Sequence, residues 1–77
     1  MIQEAFGKAV RESRKMIGIS QEELANRSGL HRTYVSDVER GKRNIGLRNI
    51  EAIARGLGVS LLVLFERTTS NLNKFRE

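Results

Sequence analysis

The residues whose types and spacing can do chemistry lie in one short segment. On a helix turning about 100° per residue, His31 to Arg40 splits into two sides. Tyr34, Val35 and Val38 share one side, and Arg32, Thr33, Ser36, Asp37 and Arg40 share the other. The first side must pack against the body of a domain. The second is a row of hydrogen-bonding groups facing outward, which fits the major groove of double-stranded DNA, where base edges show a readable pattern of donors and acceptors. Arg32 is forked and always charged, suited to O6 and N7 of guanine. Thr33 offers a methyl to thymine and a hydroxyl to a base or phosphate, and Ser36 is small enough to lie near the groove floor. Asp37 departs from this pattern, because an acid repels phosphates. Three roles stay open for it: accepting from cytosine N4, pairing with Arg40, or penalising wrong sequences. Any surface helix also has a polar face, so the charge distribution and the flanking elements must decide.

The chain of 77 residues carries 14 Lys plus Arg against 9 Asp plus Glu, a net charge of +5. The excess is uneven: residues 31–56 carry +3, and the segments before and after carry +1 each. Positive charge therefore gathers around the third helix and the loop after it, where phosphates would lie. The absence of Cys excludes a disulfide scaffold and thiolate metal sites, and a single His leaves zinc or iron without ligands. One His and one Asp provide no acid–base or nucleophile constellation, so the expectation is a protein that is not an enzyme and uses no cofactor or metal. The longest apolar run, Val59 to Phe65, is broken by Ser60 and is far too short to span a bilayer. No charged segment followed by a cleavable apolar stretch opens the chain, so a cytoplasmic location is expected, with no membrane partner.

Short helices must position this row. Ile2, Phe6, Val10 and Ile17, with Ala9 and Ser13, form one stripe of helical period, and Gly18 ends it in the left-handed conformation. Ser20-Gln21-Glu22-Glu23 is a capping box, with Ser20 accepting from the Glu23 amide and the Glu23 side chain reaching back; Ile19 staples onto Leu24. A second helix runs from Gln21 to about Arg27, and Ser28-Gly29-Leu30 makes a tight turn into the third. That spacing is helix-turn-helix. Gly41 stops the third helix. A fourth runs from Leu47 to about Leu57 between Gly46 and Gly58, and a fifth from Ser60 to about Glu66. No segment alternates like a strand. The expected fold is all-α, a compact five-helix bundle over residues 1–67, with residues 68–77 as a C-terminal tail, frayed or disordered.

Ser20-Gln21-Glu22-Glu23-Leu24-Ala25, Gly29-Leu30, Tyr34-Val35-Ser36 and Glu39-Arg40-Gly41-Lys42-Arg43-Asn44 resemble the Cro/C1-type helix-turn-helix family of phage and bacterial repressors, whose DNA-binding domains are lambda-repressor-like. Within that family, His31 to Ser36 and the proline-free Arg43-Asn44-Ile45-Gly46-Leu47 are similar to controller proteins of restriction–modification systems. The resemblance implies that Arg32 and Thr33 read bases with Ser36 and Asp37 nearby. It implies that Gln21 contacts a phosphate at the positive end of the second helix, the alternative being a plain first-turn residue. Lys42, Arg43 and Asn44 would meet the DNA backbone or a groove edge. Tyr34 either presents its hydroxyl to a phosphate or only packs, and Asn49 either binds another phosphate or is solvated. Arg14 and Glu39 would form a partly buried ion pair joining the first and third helices, a structural role. His31 replaces the usual Ser or Asp cap, as a cap substitute or phosphate neighbour.

One such unit reads few base pairs. Two on a two-fold axis place their reading helices one turn of DNA apart, about 34 Å, on a palindromic operator. In Ser60-Leu61-Leu62-Val63-Leu64-Phe65 every position after the Ser is apolar, yet a helix turns only one stripe to its core. Relatives bury the positions of Leu61, Leu64 and Phe65, so Leu62 and Val63 would face a second copy; the alternative is a tail that covers them through Leu72 and Phe75. The implied function is a dimeric, sequence-specific transcription regulator acting at its own promoter, with RNA polymerase as a further partner. The alternatives are a phage-type repressor, an antitoxin holding its toxin through the tail, or a protein-interaction module that binds no DNA.

Overall fold

The computed structural model describes the backbone of residues 1–76 and the side chains of residues 1–74. Five helices follow one another: α1 (Ile2–Met16), α2 (Gln21–Ser28), α3 (Arg32–Glu39), α4 (Leu47–Leu57) and α5 (Leu61–Arg76), with no strand among the described residues. Their ends have local causes. Ser20 Oγ accepts the Glu23 amide at 3.0 Å and Ser60 Oγ accepts the Val63 amide at 3.1 Å, each satisfying a donor the first turn leaves free. Gly29 and Gly58 close α2 and α4 with φ of 68° and 71°, a conformation that strains any residue with a Cβ. The capping box is only half made. Glu23 turns away from its own cap and accepts Arg27 Nε at 2.9 Å, a charged pair one helical turn on.

α1 lies along the bundle with α5 on one side and α3 on another, while α2 packs on α3 and α4. Leu24, Ile53, Leu64, Val10, Val35 and Val38 are fully buried where these faces meet. Gly7 lets α1 approach the end of α3 closely, since a Cβ there would stand 2.8 Å from the Glu39 carbonyl oxygen. The two ends of the α1 stripe miss the core: Ile2 sits in the first turn and Ile17 just past the last, and both are exposed.

The fifth helix corrects the expected boundary at 67. It runs on to Arg76, so residues 68–76 are helical rather than a separate tail, and Thr68 and Asn71 are buried against the bundle. What holds this half is polar. Arg67 Nη1 donates to the buried Ser13 Oγ at 2.6 Å, and Asn71 Nδ2 donates to the Ala5 carbonyl at 3.2 Å. Leu72 is half-buried, while the expected covering role of Phe75 lies outside the described side chains, as does Glu77. No helix among the described residues is long and apolar enough to cross a membrane.

Candidate nucleic-acid interface

α2, the Gly29 turn and α3 form a unit held from behind. The Leu30 amide donates to the Ala25 carbonyl at 2.9 Å, which fixes the turn. Ser28 seats the turn on α4, where Gly56 is needed because a Cβ would come within 2.5 Å of Ser28 Oγ. The direction of α3 is set by Glu39 at its last position. Arg14 Nε and Nη2 donate to the two Glu39 oxygens at 2.7 and 3.0 Å, and Arg14 Nη1 donates to the Ile19 carbonyl at 2.9 Å. The Glu39 side chain is 2% exposed and that of Arg14 11%, so the ion pair expected from the sequence is present and shielded from water. The bond to Glu39 raises the Arg14 pKa above its ordinary value. Gln21 Nε2 donates to the same carboxylate at 3.0 Å. One carboxylate thus gathers α1, α2 and α3, and Gln21 is part of the clamp as well as the residue at the start of α2.

The outward row of α3 divides into two parts. At its start Arg32 and Thr33 are exposed and Ser36 is half-buried, and among the described residues no hydrogen bond or ion pair engages the side chains of Arg32, Thr33 or Ser36. Tyr34, Val35 and Val38 turn inward as the wheel requires. His31 occupies the cap position of α3 but makes no side-chain cap bond, so it does not replace Ser or Asp in that function. At the far end the Asp37 carboxylate accepts Arg40 Nη2 at 2.7 Å and meets Arg43 Nη2 at 3.4 Å. The hydrogen bond from Arg40, then the charge of Arg43, hold the Asp37 pKa below its ordinary value. Of the three roles left open for this residue, the pairing with Arg40 is the one present in the free chain.

The loop after α3 and the start of α4 complete the surface. Lys42, Arg43 and Asn44 are exposed. The Arg43 guanidinium lies 4.9 Å from the centre of the Tyr34 ring, and Asn49 Nδ2 donates to the Tyr34 hydroxyl at 3.1 Å. Tyr34 therefore packs and still keeps its own O–H free to donate outward. Neither bond was foreseen, because residues 9 and 15 positions apart in sequence offer no local periodicity to reveal them.

A second surface lies on α5 and the start of α4. Leu62 is 70% exposed, Leu61 43% and Phe65 40%, beside Leu47 at 81%. This changes the expected division of the fifth helix. Leu64 is buried as foreseen, but Leu61 and Phe65 are exposed instead of buried, and Val63 is half-buried instead of outward. Leu47 was missed because it stands three residues before Ile50 and seven before Ala54, in phase with the buried stripe, so periodicity gives no sign of its exposure.

A helix that offers unpaired Arg32, Thr33 and Ser36 along its first half, set by a buried clamp behind a glycine turn, gives residues 21–39 the form of a helix-turn-helix unit. The family described as Helix-turn-helix matches residues 10–64, and the chain belongs to that family of DNA-binding regulators. Its relatives narrow the class. The control protein C.BamHI of Bacillus amyloliquefaciens is 51% identical over 65 residues, covering 83% of this chain and 80% of that protein. The restriction-modification controller protein C.AhdI from Aeromonas hydrophila is similar in structure with a TM-score of 0.80 and 48% identity, over 82% of this chain and 96% of that one. The controller protein C.Esp1396I bound to a 19 base pair DNA duplex gives a TM-score of 0.87 at 35% identity, over 94% and 96% of the two chains. The chain is homologous to the controller proteins of restriction–modification systems, and the resemblance drawn from its motifs is confirmed.

Proposed function

We propose that this chain works as a controller protein: a homodimer that binds a palindromic operator in double-stranded DNA near its own promoter and raises or lowers transcription according to occupancy. The carrying observation is the first half of α3, where Arg32 and Thr33 are exposed, Ser36 is half-buried and all three are unengaged among the described residues, while Arg14, Gln21 and Glu39 hold the helix from behind. Arg32 donates two hydrogen bonds to guanine O6 and N7, Thr33 meets a thymine methyl, and Ser36 stands close to the groove floor. Backbone contacts come from the second N–H of Gln21, the Tyr34 hydroxyl, Lys42, Arg43, Asn44 and Asn49. These positions ring α3 without reading sequence.

The dimer rests on Leu47, Leu61, Leu62 and Phe65, a group of exposed apolar side chains on neighbouring helices. In this reading protein concentration is the signal. A dimer bound upstream of a promoter can touch RNA polymerase, and one over the promoter blocks it. The work of such a protein is binding rather than catalysis, and it is done in the cytoplasm, where the DNA is.

Selection from a randomised pool of duplexes at physiological salt tests this reading. A palindromic consensus bound by two chains is the expected outcome. Recovery of unrelated sequences with equal affinity would overturn it.

A further inference from the structure

Asp37 is the one carboxylate on the outward row of α3, and both of its oxygens face arginines of the following turn and loop. It spans the join between helix and loop twice, since the Lys42 amide also donates to the Asp37 carbonyl at 2.9 Å. Arg43 is held from a second side by the face of Tyr34, which Asn49 ties to α4. The result is a continuous chain, Arg40–Asp37–Arg43–Tyr34–Asn49, across the surface that meets DNA.

We propose that Asp37 is a specificity-determining positioning residue, which reads no base and instead fixes the directions of Arg40 and Arg43 so that they serve only a correctly seated α3. The inference rests on the DNA-binding reading above. A guanidinium has five N–H groups, so the single contact of each arginine with Asp37 leaves others for phosphates. Held in this way, Arg43 meets a phosphate only when the helix lies in register. Without the carboxylate, Arg40 loses its ion-pair partner and Arg43 keeps only the Tyr34 face, so with the exposed Lys42 they present three cations within four residues that find phosphates on any duplex. The carboxylate also adds a negative charge that weakens attraction to DNA of every sequence. Its removal therefore tightens binding to random DNA, while the selected duplex gains less because its arginines lose their preset directions. One further phosphate contact, at a salt slope of about −0.9, amounts to about eightfold in affinity near 0.1 M salt.

The test compares wild type and Asp37→Asn on two duplexes, the one recovered by selection with wild type and a scrambled sequence of equal length, across a range of salt. The expected result is tighter binding to the scrambled duplex by about eightfold, with a salt slope steeper by about one, and a selected-to-scrambled ratio that falls by a similar factor. In an Arg40→Ala, Arg43→Ala background the same substitution should leave the ratio nearly unchanged, because Asp37 acts through those two residues. Equal tightening on both duplexes would overturn the proposal, leaving Asp37 as a plain charge. A changed base preference at one position would also overturn it, making Asp37 a base reader. A wild type with no preferred duplex defeats the DNA-binding reading itself and this role with it. Asp37 lies on the surface, and an unchanged thermal melt of the variant would exclude loss of fold.

Discussion

Replacing Arg14 with Ala should nearly unfold the domain. The substitution leaves the Glu39 carboxylate, 2% exposed, with Gln21 as its one remaining side-chain donor, and removes the bond to the Ile19 carbonyl. An uncompensated buried charge of this kind costs about 3–5 kcal/mol. A domain of this length draws roughly 3–5 kcal/mol from its core alone, so the loss is comparable to the whole of that contribution. At about 4–8 °C per kcal/mol for a chain this small, the melting temperature should fall by at least about 12 °C. Urea titration followed by circular dichroism measures the loss directly. Arg14→Met combined with Glu39→Leu should recover most of it, since paired apolar replacements of a buried ion pair are often near neutral. That double variant would still bind its operator poorly, because the directional hydrogen bonds that orient the end of α3 against α1 and α2 would be gone while the apolar packing remained. A loss under about 1 kcal/mol in the single variant would refute the reasoning and place the pair in the class of screened surface bridges.

Three further outcomes follow from particular contacts. Leu62→Glu sets a charge in the middle of the exposed apolar group, and sedimentation equilibrium should show a dimer for the wild type and a soluble monomer for the variant; an unchanged dimer would remove Leu62 from the interface. Asn71→Ala removes a buried donor to the Ala5 carbonyl and should cost about 0.5–1.5 kcal/mol in urea, with faster amide exchange through residues 68–74; an unchanged midpoint would mean that this half of α5 is held by something else. Asp37 should titrate below 3.8 when followed by NMR, because Arg40 bonds to its charged form. Its stabilising contribution is then present at neutral pH and lost only as the pH falls through that lowered value. Arg40→Ala should bring the midpoint back upward, and a midpoint that does not move would assign the shift elsewhere.

Most of the architecture was legible because it is written in local signals. Ser20 three residues before Glu23, the turn at Gly29 and the inward set Tyr34, Val35 and Val38 are found where spacing places them. The ion pair of Arg14 and Glu39 came from resemblance, since opposite charges 25 residues apart have no local signature. The end of α5 was illegible for a physical reason. Its buried face is Thr68 and Asn71 with Arg67 at its edge; Arg67 and Asn71 donate to α1 while the Thr68 hydroxyl donates to the Leu64 carbonyl within α5, and a search for apolar period passes over a polar stripe. Within Leu61 to Phe65 every side chain is apolar, so composition carries no phase, and the neighbours decide which ones turn inward. Asp37 was ambiguous because its partners, Arg40 and Arg43, were themselves candidates for DNA, and only the distances decide between them.

The account stands or falls on the first turn of α3. The most direct measurement is the affinity of Arg32→Ala for the selected duplex and for single-base variants of it, beside a scrambled duplex, at physiological salt. The predicted result is a loss of about 1–3 kcal/mol on the selected duplex, with discrimination relaxed at one base pair in each half-site and little change on scrambled DNA. An equal loss on selected and scrambled duplexes would contradict it, making Arg32 a general anchor to phosphate and leaving α3 without its reader.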